Sequence, residues 1–275
     1  MKKMLTDMHT HSTFSHDGTN TLAEMLEAAY AMGVAFYGVS EHFDYDYDVS
    51  KTTKEEYDYT NLPNPDEYFH TARHLQEDYE GCMNVCVGAE FGYSDDKDVK
   101  TKYLQTYEKY RPDFVINSVH SDNGLDFYFG MVEKPEKQTY SDYLALIRRS
   151  LDAPYPYDIV GHIEYVVRYV PFEKKEICVA EYQEQIDDIL KTIIQKGKIL
   201  ELNSSTKQLP RCTLPSMEIV RRYYELGGRK ISFGSDAHFK ERILDKREKI
   251  VELVKEIGFT YMTVPFRGEH IKVEL

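Results

Sequence analysis

The stretch MLTDMHTHSTFSHDGTNTLAEMLEAAYAMGVAFYGVSEH, residues 4–42, contains one complete strand–helix–strand unit. Met4-Leu5-Thr6-Asp7-Met8 reads as a short β-type run. Thr21-Leu22-Ala23-Glu24 then forms a capping box, with Leu22, Met25, Leu26 and Ala29 at helical spacing, which predicts a helix over 21–32. Gly33 stops it, and Val34 to Ser40 reads as the second strand. Both strands are followed by residues suited to binding metals: His9-Thr10-His11 with Asp17 after the first, and Glu41-His42 after the second.

The same rhythm continues to the far end of the chain. Further strands are predicted at Val85–Ala89, Phe114–Val119, Ile159–Gly161, Lys198–Leu202 and Lys230–Gly234, with one more over Phe259–Val264. Ile186, Ile189, Leu190, Ile193 and Ile194 form the apolar stripe of one intervening helix. Another helix opens around Leu214-Pro215-Ser216 and closes at Gly227-Gly228. Apolar strands alternating with amphipathic helices predict a parallel sheet covered by helices. No linker divides the chain, so residues 1–275 read as one α/β domain of seven or eight strands. A barrel leads, and an open doubly wound sheet is the alternative. The absence of a GxGxxG after the first strand weakens a dinucleotide-binding version.

Residues 43–65 (FDYDYDVSKTTKEEYDYTNLPNP) break the rhythm, being acidic, Tyr-rich and without a period. A segment that long at a strand's carboxyl end reads as a lid-like insertion over a site.

The chain carries 34 Lys plus Arg against 47 Asp plus Glu, a net charge of −13. That balance disfavours binding to nucleic acid or to anionic membranes. No apolar run approaches a bilayer span and no signal peptide is visible. Cys82, Cys86, Cys178 and Cys212 are scattered without a CxxC, which fits free thiols in a reducing cytoplasm. The 23 Tyr, 13 Phe and no Trp suggest a Tyr-rich margin to the core.

The remaining predicted strands also end in special residues. Glu90, His120 and His162 follow the third, fourth and fifth. The sixth ends at Glu201-Leu202-Asn203 and the seventh at Ser235-Asp236-Ala237-His238. Six of the ten histidines thus fall at strand ends on one edge of one sheet. In His9-x-His11, alternate residues of an extended chain point the same way and can reach one ion. The set exceeds the three or four ligands of a mononuclear site, so two or three metals are expected. His70 and His74 read as a helix-surface pair and His270 as a polar-tail residue. His16 is an alternative to Asp17.

His9-Thr10-His11-Ser12, Glu41-His42, Glu90, Ser118-Val119-His120, Gly161-His162 and Ser235-Asp236-Ala237-His238 resemble the metal motifs of the polymerase-and-histidinol-phosphatase (PHP) superfamily. The likeness runs in order over essentially the whole chain. Gly161-His162-Ile163 and Glu201-Leu202-Asn203-Ser204-Ser205 are similar to histidinol-phosphate phosphatases in particular. The resemblance implies a distorted TIM-like (β/α)7 barrel with metals at the C-terminal face of the strands. It implies one ion on His9, His11, Glu90 and Asp236, with Glu90 bridging to a second on His120 and His162. A third would take Asp17, His42 and His238, where Asp17 replaces the His of many relatives. Zinc, iron and manganese all suit such donors.

A metal-activated water attacking a small phosphate monoester, L-histidinol phosphate, is the implied reaction. Glu90, Asp236 and His238 are the expected catalytic residues. Arg168, Lys207 and Arg211, with Asn203 and His42, are the expected substrate-binding residues, Arg168 foremost because guanidinium binds phosphate as a fork. Carboxylates of the acidic segment, among them Glu41, Asp44, Asp46, Asp48, Glu55, Glu56 and Asp58, are expected to select the cationic end of the substrate. Alternatives are another small monoester or nucleotide, a phosphotyrosine protein, or a non-catalytic metal-binding role. Oligomeric state has no signal in the chain.

Overall fold

Seven parallel strands in the order β1-β2-β3-β4-β7-β8-β9 form the central sheet of the computed structural model, which describes residues 4–46 and 62–275. They are β1 (Leu5–Asp7), β2 (Val34–Phe43), β3 (Asn84–Gly92), β4 (Phe114–Ser118), β7 (Ile159–Val160), β8 (Ile199–Asn203) and β9 (Ile231–Gly234). A small hairpin of β5 (Ser121–Asp122) and β6 (Leu125–Asp126) follows β4. The helices are α1 (Leu22–Ala31), α2 (Pro65–Asp78), α3 (Lys97–Tyr110), α4 (Glu136–Ser150), α5 (Gln183–Gln195), α6 (Met217–Glu225) and α7 (Arg247–Ile257).

The sheet curls until its first and last members meet. Met8 N–H donates to Phe233 O at 2.9 Å, Asp236 N–H to His9 O at 2.8 Å, and His11 N–H to Ala237 O at 2.9 Å. The barrel is therefore stitched shut by the segments that carry His9, His11, Asp236 and His238. This decides for the barrel over the open doubly wound sheet.

Local signals account for the helices. The capping box of α1 forms as read: Glu24 N–H donates to Thr21 Oγ1 at 3.3 Å, and Thr21 N–H donates to Glu24 Oε2 at 2.8 Å. Leu22, Met25, Leu26 and Ala29 are its buried face. Asn64 caps α2, with Pro65 in its first turn, and Asp96 caps α3. In α5 the stripe Ile186, Ile189, Leu190 and Ile193 packs inward. Pro215 precedes α6, whose N-cap is Ser216.

Strand residues divide by parity. Val85, Val87 and Ala89 of β3 and Leu200 and Leu202 of β8 face the helices. Cys86, Phe114, Ile116, Ile159 and Ile199 form a second apolar cluster inside the barrel, with Met8 and Phe36. Val264 and Val273 join it from a hairpin of β10 (Tyr261–Phe266) and β11 (Glu269–Glu274). The predicted strand over Phe259–Val264 is thus real but antiparallel and outside the barrel, and its partner β11 carries His270. Further along the inward parity the residues turn polar: Glu90 on β3, Ser118 on β4, Glu201 and Asn203 on β8, all buried.

The tyrosines depart from the expected wet margin. Tyr68, Tyr103 and Tyr155 are fully buried, and each hydroxyl donates to the sheet: Tyr68 to Gly88 O at 2.6 Å, Tyr103 to Gly92 O at 2.5 Å, Tyr155 to Asn117 Oδ1 at 2.8 Å. A buried phenol needs such a partner. Among the described residues no helix is long and apolar enough to cross a membrane, and the four cysteines are free. Of the acidic segment, residues 47–61 lie outside the described residues, and with them Asp48, Glu55, Glu56 and Asp58.

Candidate metal centre

Two of the strands run further than their apolar cores suggest. Glu41 and His42 lie inside β2, and Glu90 lies inside β3, instead of in the loops beyond. Strand pairing places His42 beside Glu90 in register, which fixes their separation more tightly than a loop would.

Glu90 is the hub. It is fully buried, and its Oε1 lies 3.1 Å from His120 Nε2 and 2.9 Å from His162 Nε2. Its Oε2 lies 2.8 Å from His42 Nδ1, 3.3 Å from His9 Nε2 and 3.6 Å from His11 Nε2. Asp236 Oδ1 closes on His11 Nε2 at 3.4 Å, His238 Nδ1 at 3.6 Å and His9 Nε2 at 3.9 Å. Asp236 has a left-handed backbone, φ 53°, a conformation Asp tolerates better than most residues. On the outer side, Asp17 Oδ2 lies 3.0 Å from His238 Nε2, and Asp17 Oδ1 lies 3.8 Å from His42 Nε2. Asp17 stands in this cluster, and the exposed His16 lies at its edge, its ring centre 5.8 Å from that of His42. His70 and His74 lie on the exposed face of α2, away from it.

The residues fit metal ions on two independent counts. First, His9 Nε2, His11 Nε2, His42 Nδ1, Glu90 Oε2 and Asp17 Oδ1 are buried without a hydrogen-bond partner, though all point at one another. Such atoms are costly unless something else satisfies them. Second, the outward nitrogens of four of the histidines are held. His9 Nδ1 lies 2.5 Å from Glu201 Oε1, His11 Nδ1 3.3 Å from Ser15 Oγ, His120 Nδ1 2.9 Å from Asp44 Oδ1, and His238 Nδ1 3.0 Å from Asp236 O. Those acceptors keep the proton on Nδ1 and leave the Nε2 lone pairs facing inward. His9, His11 and Glu90, then His42, Glu90 and His120, then His11, His42 and His238 each offer three donor atoms close enough to share an ion.

Electrostatics follow from the packing. Burial opposes ionisation of Glu90, but His9, His120 and His42 hold its carboxyl well below the usual range. Burial likewise opposes ionisation of Asp236, and His9, His11 and His238 outweigh it. Burial, with His42 and His238 adding to it, pushes His11 well down, so it is a neutral imidazole.

Two glycines give the supporting carboxylates room. A Cβ on Gly92 would overlap Asp44 Oδ1, and one on Gly234 would overlap Glu201 Oε1. Ser118 Oγ donates to Glu90 Oε1 at 2.6 Å from beneath.

A cavity of about 370 Å³ opens over the cluster. Arg168 and Lys207 line it together with Asp44, Asp126, Tyr128 and Phe129, and Lys207 Nζ lies 5.1 Å from the centre of the Tyr128 ring. Arg168 is 3% exposed; its Nη2 donates to Asn203 Oδ1 at 3.3 Å and lies 3.4 Å from Asp236 Oδ2, while its Nε has no partner. Lys207 Nζ donates to Tyr169 Oη at 2.9 Å. Two expected substrate-binding residues are not brought to this cavity. Arg211 is drawn toward the buried Glu164 at 3.0 Å and lines an adjoining cavity of about 700 Å³, which shares Arg168 and Lys207 with the first. Asn203 is buried behind Arg168, touching it and Asp236, where it serves as a support.

Of the acidic residues expected to meet the substrate, Glu41 is fully buried and engaged by Ser12 and Ser15, and Asp46 accepts from Ser121 Oγ at 2.5 Å. Asp44 lines the cavity, and so does Asp126, which no sequence pattern signals; burial pushes the Asp126 carboxyl up to about 6.

Comparison with known proteins agrees with this geometry. The PHP domain model matches residues 7–205. A "Probable histidinol-phosphatase" of Clostridium acetobutylicum is 30% identical over 242 residues, 87% of this chain and 89% of that one. The histidinol-phosphatase of Lactococcus lactis is 29% identical, over 94% of this chain and 93% of its own. A crystal structure of a histidinol phosphate phosphatase from Lactococcus lactis, complexed with zinc, L-histidinol and phosphate, superposes with a TM-score of 0.82 at 26% identity, covering 98% of this chain and 100% of that one. Six histidines and three carboxylates converge on one barrel mouth, and the likeness extends over nearly the full length: the chain belongs to the PHP-domain family, among its histidinol-phosphatase-like phosphoric monoester hydrolases.

Proposed function

We propose that residues 1–275 act as one domain that hydrolyses L-histidinol phosphate to L-histidinol and phosphate, a step of histidine biosynthesis. The observation that carries this reading is the polarity of the single cavity above the His/carboxylate cluster. Its lining carries both signs of charge, Arg168 and Lys207 positive and Asp126 and Asp44 negative. A substrate with a phosphate at one end and an ammonium and imidazole at the other matches that arrangement.

His9, His11, Glu90 and Asp236 would hold one ion, Glu90 with His120 and His162 a second, and Asp17, His42 and His238 a third. When bound, zinc, iron or manganese supplies the acidity that makes water a nucleophile near neutral pH and the charge that offsets the phosphate oxygens. The protein's own groups orient the ester. Arg168, steadied by Asn203, Asp236 and the face of Tyr165, directs a guanidinium edge at the phosphate. Asp126 receives the ammonium, and Tyr128 and Phe129 flank the imidazole. Asp236 and His238, which would ligate the ions, border the same cavity and fix where the attacking water stands relative to the ester.

Phosphate release from histidinol phosphate, measured against sugar phosphates, nucleotides and phosphotyrosine with Mn, Fe or Zn added, tests the reading. The expected result is a kcat/KM for histidinol phosphate well above every other monoester. A clear preference for another monoester would overturn the substrate.

A further inference from the structure

Glu41 is a fully buried carboxylate that neither lines the cavity nor faces the metal cluster. Its Oε1 accepts from Ser12 N–H at 3.0 Å and Ser12 Oγ at 2.6 Å, and its Oε2 accepts from Ser15 Oγ at 2.6 Å and from the same Ser12 N–H at 3.1 Å. Ser15 Oγ is also the acceptor for His42 N–H at 3.0 Å and lies 3.3 Å from His11 Nδ1. One hydroxyl therefore touches Glu41, His42 and His11 at once.

A hydroxyl has one proton and two lone pairs. Ser15 Oγ donates to Glu41 Oε2, so its one proton is spent there. The backbone N–H of His42 fills one lone pair. The contact left to His11 is then an acceptor, and His11 Nδ1 must carry the proton. That leaves His11 Nε2 as a bare lone pair facing Glu90 Oε2 and Asp236 Oδ1, the form that ligates a cation. We infer that Glu41 is a positioning residue which, through Ser15, sets the tautomer of His11 and so readies it for metal. This rests on the reading that the cluster holds metal ions.

The relay makes a distinctive prediction for Glu41→Gln. Because the Ser12 N–H reaches both oxygen positions, at 3.0 and 3.1 Å, the new amide is free to turn its NH2 toward Ser15. Its NH2 then donates to Ser15 Oγ, and the Ser15 proton turns to His11 Nδ1. His11 shifts to the Nε2–H form, which presents a proton to the metal position. The volume and shape of the site hardly change.

The test uses the full-length chain, stripped and reloaded with zinc. Zinc affinity is read by competition with a chelating dye, and the His11 tautomer by imidazole 15N chemical shifts in the zinc-free protein. Wild type should show Nδ1–H. Glu41→Gln should show Nε2–H and bind zinc about 10- to 100-fold more weakly. Ser15→Ala cuts the relay, so adding Glu41→Gln to it should cost no further affinity. If the loss from Glu41→Gln is the same with and without Ser15, Glu41 acts only by holding the loop and the inference is wrong. If Glu41→Gln does not fold, Ser15→Ala decides alone: unchanged affinity and tautomer overturn the relay. A wild type that takes up no zinc removes the metal reading itself, and that outcome is distinct from a wild type and variants that all load equally.

Discussion

Glu201 Oε1 lies 2.5 Å from His9 Nδ1, while Glu201 Oε2 accepts the backbone N–H of His162 at 2.6 Å. One buried carboxylate thus orients the imidazole of the first strand and anchors the chain that carries another histidine. Glu201→Gln keeps the shape but lets an NH2 group face one of these donors. The expected outcome is metal affinity weakened about 10- to 100-fold. Activity should return toward wild type when metal is added in excess. Metal titrations followed by phosphate release check both.

Stripping the metals leaves Glu90, Asp236 and Asp17 crowded within one cluster of histidines, with their inward lone pairs unmatched. A ligand that binds only the folded state at a thousand times its Kd contributes about 4 kcal/mol. In a chain of this size that corresponds to a Tm lower by roughly 10 °C in chelator. Calorimetry with EDTA, and again after dialysis into Zn, Mn or Fe, measures the fall and its recovery.

Asp126 and Arg168 should separate the two ends of the substrate. Asp126→Asn should raise KM for histidinol phosphate about tenfold or more, the worth of one charge-assisted hydrogen bond. It should leave hydrolysis of 4-nitrophenyl phosphate, which has no cationic end, nearly unchanged. Arg168→Ala should lower kcat/KM for both esters by about 100- to 1000-fold. The pH dependence gives a further check. Burial holds the Asp126 carboxyl at about 6, so it is ionised at neutral pH and loses its charge as pH falls through that value. Wild-type KM should rise there, and the rise in excess of the Asn variant's belongs to Asp126.

Away from the site, Asp187 on α5 receives Arg222 of α6 through two hydrogen bonds, at 2.7 and 2.6 Å, and that pairing holds its carboxyl below the usual range. A carboxyl depressed in the folded state stabilises it above the unfolded pKa, and the contribution is lost as pH falls through the lower, folded one. Asp187→Asn should therefore melt below wild type at pH 7, with the difference closing as pH drops below about 4. Thermal melts of the pair across that range decide it.

What could be read from the chain was whatever chemistry makes conspicuous. His9, His11, His120, His162 and His238 stand out because histidine is scarce and each follows a β-type run, and the parity of those runs places them on one face. The strand boundaries at Glu41 and Glu90 were less legible, because a charged residue ends an apolar pattern even where the backbone ladder continues. Arg211 and Asn203 illustrate the harder limit. Both lie near Arg168 in the chain's order of loops, but Arg211 is claimed by Glu164, 47 residues away, and Asn203 packs behind Arg168. Asp126 was invisible for the opposite reason: a lone aspartate in a short hairpin has no pattern until the barrel brings it over the cluster. The phenols of Tyr68, Tyr103 and Tyr155 likewise reveal their role only once the acceptors on the strands, two backbone carbonyls and the Asn117 amide, are in place.

The seam where His9 and His11 meet Asp236 and His238 has a consequence for how the molecule comes into being. An ion shared by those residues would join the earliest and latest barrel strands, more than two hundred residues apart, like a clasp on a bracelet. A nascent chain emerging from the ribosome has five of the six histidines long before it has the sixth, and no finished ring to hold them. Loading is thereby reserved for chains whose barrel has already closed, and a product truncated before Asp236 is left with an open clasp.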